Sequence, residues 1–116
     1  MAPPVAVPER GVAIAWDSIN GGLAGIDIGE DLSVRWQLDV RPTMQPVVFP
    51  DSGELVINDF GDDGVDWLIV VDVDTGELVD RVDTGSRIAN GMFLTAGLDR
   101  DVYYCSLFTL ARVAWS

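Results

Sequence analysis

The chain has 116 residues, is 48% hydrophobic and carries nineteen acidic residues against seven basic ones, all arginine, for a net charge of -12. That is the length of one small domain with enough apolar content for a packed core, which argues against global disorder. A field this negative repels phosphate backbones and anionic lipids, so no nucleic-acid or membrane-surface partner is expected; its ordinary role is solubility, with cation binding as the functional alternative.

In chain order, Met1–Arg10 carries Pro3, Pro4 and Pro8 and reads as a Pro-rich lead-in with an edge strand at Val5–Val7. It lacks a charged start followed by an apolar run, so it does not read as a signal peptide. Short apolar runs then follow at Gly11–Trp16, Leu23–Ile28, Ser33–Val40, Val47–Phe49, Glu54–Phe60, Asp66–Val73, Glu77–Asp83, Met92–Thr95, Asp101–Leu107 and Leu110–Trp115. Most are rich in Val, Ile, Tyr, Phe or Trp, which favours strand over helix. Between them Asn20-Gly21-Gly22, Pro50-Asp51-Ser52-Gly53, Gly61-Asp62-Asp63-Gly64 and Asp74-Thr75-Gly76 supply turn chemistry. No window sustains the i, i+3, i+4, i+7 pattern of a helix, so the fold class is all-β. The longest unbroken apolar stretch, Trp67–Val71, is far too short to span a bilayer as a helix. It also has no polar alternate position, which predicts a strand covered on both faces, as in stacked sheets.

Self-comparison finds a common offset. Gly25-Ile26-Asp27-Ile28 aligns with Val70-Val71-Asp72-Val73, and Gln45-Pro46-Val47-Val48-Phe49 with Asn90-Gly91-Met92-Phe93-Leu94, each 45 positions apart. Val12-Ala13-Ile14 falls on Val102-Tyr103-Tyr104 at twice that spacing, and Glu54-Leu55-Val56-Ile57 matches Arg100-Asp101-Val102-Tyr103 with one inserted residue. A period of about 45 with four short strands per unit suits one β-propeller blade. The expectation is an incomplete propeller of about two and a half blades, at about 1–45, 46–90 and 91–116, with an ordinary β-sandwich as the alternative. The last blade has three strands, ending at Trp115. Closed propellers use about four to eight blades, so either upstream blades are missing and this is a C-terminal portion, or several copies assemble.

The residues also resemble known groups. Val70–Val82, VVDVDTGELVDRV, resembles the strand–turn–strand of quinoprotein-like propeller repeats, in which an Asp precedes a Thr-Gly turn. The Trp that closes the pattern is replaced by Asp80 or Arg81, while Trp36 holds the matching place one unit earlier. Ile88–Ser106, IANGMFLTAGLDRDVYYCS, is similar to blades of the gluconolactonase and senescence-marker family. That resemblance implies Asn90 as a metal ligand at a central channel, for a divalent cation such as calcium; Gln45-Pro46 stands at the equivalent place one unit earlier.

Absences narrow the chemistry. With no His and one Cys, the chain holds neither a Ser-His-Asp nor a Cys-His arrangement, and no Cys/His zinc site. With no Lys it holds no Schiff-base lysine and no Walker-type phosphate loop. No catalytic residue is therefore assigned. Gly61–Asp66 and Asp72–Gly76 read as acidic turns rather than calcium loops, with Asp74 as the turn cap. Cys105 reads as a buried thiol without a disulfide partner, and Trp16, Trp36, Trp67 and Trp115 as packing between blades. The expected function is a noncatalytic ligand- or protein-binding scaffold; the rival is part of a propeller enzyme, a metal-dependent lactonase or a sugar-oxidising quinoprotein. Uncovered end faces, assigned to Val12, Ile14 and Trp16 at one end and Tyr103, Leu107 and Trp115 at the other, predict self-association.

Overall fold

A computed structural model of the chain describes residues 5–17, 19–29, 31–61, 65–84, 91–97, 100–106 and 110–115. Eleven strands form three antiparallel sheets, and the helical content among these residues is a single 3-10 turn at Pro8–Arg10. The first sheet is a meander of β1 (Val5–Val7), β2 (Val12–Trp16), β3 (Leu23–Asp27) and β4 (Ser33–Leu38). The second repeats that order with β5 (Val47–Phe49), β6 (Glu54–Phe60), β7 (Asp66–Asp72) and β8 (Leu78–Asp83). The third has β9 (Gly91–Ala96), β10 (Asp101–Ser106) and β11 (Leu110–Ala114). None of the three closes on itself, and the architecture is that of incomplete propeller-like blades, two of four strands and one of three.

The hairpins form where the turn residues allow. Gly21 and Gly22, both at positive φ, close the β2–β3 turn, in which the Asp17 carboxylate accepts the backbone N–H groups of Ile19 and Asn20. The β6–β7 hairpin pairs seven residues without a slip, from Glu54 opposite Asp72 to Phe60 opposite Asp66. Strand ends differ from the sequence reading by a residue or two. Gly11, for instance, ends the 3-10 turn at φ 66 rather than opening a strand.

The second sheet is the middle layer, and this explains its doubly apolar strands. Leu55 and Ile57 of β6 with Ile69 and Val71 of β7 face the first sheet, packing on Val7, Val12, Ile14, Trp16, Leu23 and Trp36. The alternate residues Val56, Leu68 and Val70 face the third sheet, packing on Val102, Tyr104, Val113 and Trp115. Each fully buried aliphatic side chain contributes about 1.5–3 kcal/mol, so the two interfaces supply the main stabilisation. Polar bonds tie the layers together. The Trp36 indole Nε1–H donates to the Val73 carbonyl (2.7 Å) between the first two sheets. Arg100 makes a two-pronged contact with Glu54 (2.9 and 2.7 Å) between the second and third.

The 45-residue offset has a structural counterpart. The pairing of β3 with β4 breaks between Gly25 and Ile26, and that of β7 with β8 between Val70 and Val71, at positions 45 apart. Trp36 lies opposite Gly25, whereas Asp80 lies opposite Val70. In one sheet a glycine makes room for an indole; in the other a valine fills that space and the facing residue turns polar.

Two readings are corrected. Val12, Ile14, Trp16 and Trp115 are not on open faces but buried against the middle sheet. The outward side of the first sheet carries Ala13, Ala15, Ala24 and Ile26, half-buried and cross-strand neighbours, while Tyr103 lies exposed on the third; Leu107 lies outside the described residues. The Val12 and Val102 strands share an alternating burial pattern but bury opposite sides, because each end sheet has its one neighbour on a different side. Likewise Leu55 and Val102 are the residues that face the preceding sheet, so that alignment needs two inserted residues rather than one.

Candidate functional site

Strands β2, β4, β6 and β8 finish at one end of the stack, and there the first two sheets diverge around a cleft of about 390 Å³. Its walls are Asn20 and Gly21 of the β2–β3 turn, Asp39, Val40 and Arg41 after β4, Asp59, Phe60 and Gly61 at the end of β6, and Arg81 of β8. The connection after β4 is stitched to β6: Asp59 Oδ1 accepts the Arg41 N–H (2.9 Å), and the Phe60 N–H donates to the Arg41 carbonyl (3.0 Å). Gly22 N–H to Val40 O (2.7 Å) fixes the other wall. The backbone frame is thus hydrogen-bonded on both sides, and the charged side chains project from it.

The arginines divide into two groups. Arg10 pairs with Asp74 (2.6 Å), Arg35 with Asp27 and Asp74, Arg100 with Glu54 and Arg112 with Asp101 (2.7 Å). Arg41 and Arg81, the two other described arginines, make no ion pair among the described residues, and both line the cleft. The Arg81 guanidinium lies over the Trp67 ring, 4.1 Å from its centroid. This stacking restrains a side chain that would otherwise be free in solvent. The Trp67 indole N–H beneath is buried and has no hydrogen-bond partner among the described residues.

A second polar cluster is internal. Asn58, fully buried, accepts the Thr43 N–H (2.9 Å) and Met44 N–H (3.2 Å) and donates to Thr43 Oγ1 and Asp66 Oδ1. The Tyr104 hydroxyl of the third sheet donates to Asp66 Oδ2 (2.5 Å). Burial pushes the Asp66 carboxyl above the ordinary 3.8, against the bonds from Tyr104 and Asn58, which lower it. This carboxyl meets protein rather than solvent, so its role is to join two sheets.

The residues singled out from sequence fare differently. Asn90 lies outside the described residues, as do Asp62, Asp63 and Gly64; Gln45 is exposed just ahead of β5. Asp66 is turned into the sheet interface, which removes it from any cation held by the 61–66 turn. The turn at 72–76 is capped by Asp72, not Asp74: Asp72 Oδ1 accepts the N–H groups of Asp74 (2.8 Å) and Thr75 (3.2 Å), and Asp74 pairs with Arg10 instead. Cys105 is half-buried rather than buried. Among the described residues no three His, Cys, Asp or Glu side chains cluster as a metal site. Trp16, Trp36 and Trp115 do pack between sheets, whereas Trp67 sits half-buried under Arg81. Sequence reasoning weighed carboxylates and amides and passed over Arg41 and Arg81. The usable signal was the scarcity of cations in so acidic a chain, which makes the position of each arginine informative.

Fold and cleft together define an all-β protein of stacked antiparallel sheets with a polar cleft of both charge signs at one end. Comparison with protein-family models, with curated proteins and with solved structures finds no match to this chain. No helix among the described residues is long and apolar enough to cross a membrane.

Proposed function

We propose that the chain is a noncatalytic propeller-type scaffold that binds a ligand in the cleft between its first two sheets. The observation that carries this is the pair of arginines without ion-pair partners among the described residues, Arg41 and Arg81, brought from 40 residues apart in sequence to one cleft. In a protein with an excess of carboxylates, an arginine left without one is costly to ignore as an accident, and a cleft of this size suits a small molecule or a chain end. The repeat reading draws support from the matching register breaks in the first two sheets. The absence of His and Lys from the sequence leaves no nucleophile–base pair of the familiar kinds. The rival, a portion of a metal-dependent lactonase or a quinoprotein, rests on Asn90-Gly91 and on the resemblance of the sequence to those families.

The test is a titration of the isotopically labelled full chain with a chemically diverse fragment set, followed by amide NMR. Saturable shifts concentrated at Gly21, Val40 and Gly61 are expected. If no compound moves these amides, the cleft is not a binding site and the reading is wrong. Turnover of a lactone by the chain, stimulated by calcium, would establish the rival instead.

A further inference from the structure

We infer that the cleft recognises a small zwitterion carrying a carboxylate and an ammonium group, of the amino-acid or dipeptide class; this rests on the binding reading above and names its ligand.

Asp59 Oδ1 is engaged by the Arg41 N–H, whereas among the described residues the Asp39 carboxylate and the guanidiniums of Arg41 and Arg81 have no hydrogen-bond or ion-pair partner. The other described guanidiniums are consistently met: Arg10, Arg35, Arg100 and Arg112 each find a carboxylate. The cleft therefore presents two planar forks suited to a carboxylate, and the Asp39 carboxylate suited to an ammonium, within one cavity of about 390 Å³.

The long-range field selects between a simple anion and a zwitterion. A net charge of -12 opposes the approach of any anion. A zwitterion has no net charge and meets no such barrier, yet still gains both local contacts. A simple cation would be drawn by the field but would face two unpaired guanidiniums at the site. Arg81, held against the Trp67 ring, is the better-fixed of the two forks, since stacking restrains its plane before the ligand arrives.

The experiment uses the full chain and alanylalanine, with its N-acetylated and C-amidated forms as matched probes, read by amide NMR. The free dipeptide is expected to bind saturably, with each capped form about tenfold weaker or worse. Arg81→Gln and Arg41→Gln should each weaken the free dipeptide about fivefold or more, and Asp39→Asn should do the same while leaving the amide spectrum dispersed as in the wild type. Asp39 and Arg41 are exposed and outside strands, so these two variants test binding without threatening the fold. Equal binding of the N-acetylated form would reduce the site to an anion site and overturn the proposal; equal binding of the C-amidated form would overturn it from the other side. Absence of dipeptide shifts up to about 20 mM, with other compounds still moving Gly21 and Gly61, would overturn the ligand class and leave the scaffold reading standing. Silence from every compound would remove both.

Discussion

Trp36 shows how one side chain can constrain two glycines. A Cβ placed on Gly25 would fall 2.3 Å from the indole Nε1, and one on Gly76 would fall 2.6 Å from Cγ. Gly76 also sits at φ 75, but Gly25 has no such need, so packing alone requires it. Gly25→Ala is expected to cost about 1–3 kcal/mol, the range for overpacking a tight core, read as a shift of the urea midpoint followed by tryptophan fluorescence. Trp36→Ala in the same chain should abolish the extra cost of Gly25→Ala. Asp66 makes a second prediction at this scale. Its pKa is raised in the fold, so its contribution is fully present below the unfolded value and is lost as pH rises through the folded one. Glu54 runs the other way: Arg100 holds its carboxyl below the ordinary 4.5, and that contribution is lost as pH falls through its folded value. Asp66→Asn mimics the protonated acid. Its stability relative to the wild type should therefore rise as pH climbs from the ordinary 3.8 through the raised value in the fold; equal pH slopes in urea titrations of the two proteins would count against this. Of these residues, Gly25 was visible in sequence as part of the repeat and Trp36 as a packing residue between blades, but not the contact between them. Asp66 was read as a turn carboxylate, because nothing local announces that a strand's first residue will face a tyrosine 38 positions away.

Among the elements, β7 has the most complete environment: β6 and β8 flank it, and sheets cover both of its faces. Amide exchange should be slowest at Leu68–Val71 and faster in β11, which has β10 on one side and is covered on one face. Fast exchange at Leu68–Val71 would mean that the stack is not formed in solution. The strands were legible because Val, Ile, Trp and Tyr runs alternate with Gly and Asp turns, and the Glu54–Phe60 with Asp66–Val73 hairpin follows from its short connection. The side that each strand buries was less legible. A one-residue slip exchanges the two faces, and β2 and β10 carry similar patterns while facing opposite ways. The correction of the end faces follows from this.

At the scale of the molecule, three sheets make two interfaces, so two faces have no neighbouring sheet among the described residues. The outer face of the first bears Ala13, Ala15, Ala24 and Ile26; on the third, Tyr103 is 43% exposed and, at its edge, Leu110 is 78% exposed. A second copy, or further blades, would meet such faces, and we propose the second copy. The -12 charge opposes that contact, while salt screens repulsion beyond about 10 Å at 0.1 M and leaves the apolar gain in place. Association should strengthen from low to moderate salt, and Ile26→Glu should abolish it; sedimentation velocity showing a compact monomer at both salt levels would refute it. The layered plan was legible in the sequence from its period and its doubly apolar strands. The cleft was not, since it is assembled from four separate stretches of chain whose meeting depends on how two sheets stack.

Among the described residues, the ion pairs between the first two sheets lie at the end away from the cleft. Arg10 meets Asp74 and the carbonyls of Pro50 and Asp51, Arg35 meets Asp74, and the Trp36 indole meets Val73. The two layers are therefore built like a book bound along one edge, with the binding made of charge and the pages open where the arginines wait. A strand of five or six residues is roughly 17 Å long, so a turn of about 5° at the binding parts the open edge by about 1.5 Å. Loosening the binding with salt, or with Arg10→Gln, then acts as a lever on the size of guest that the far edge admits.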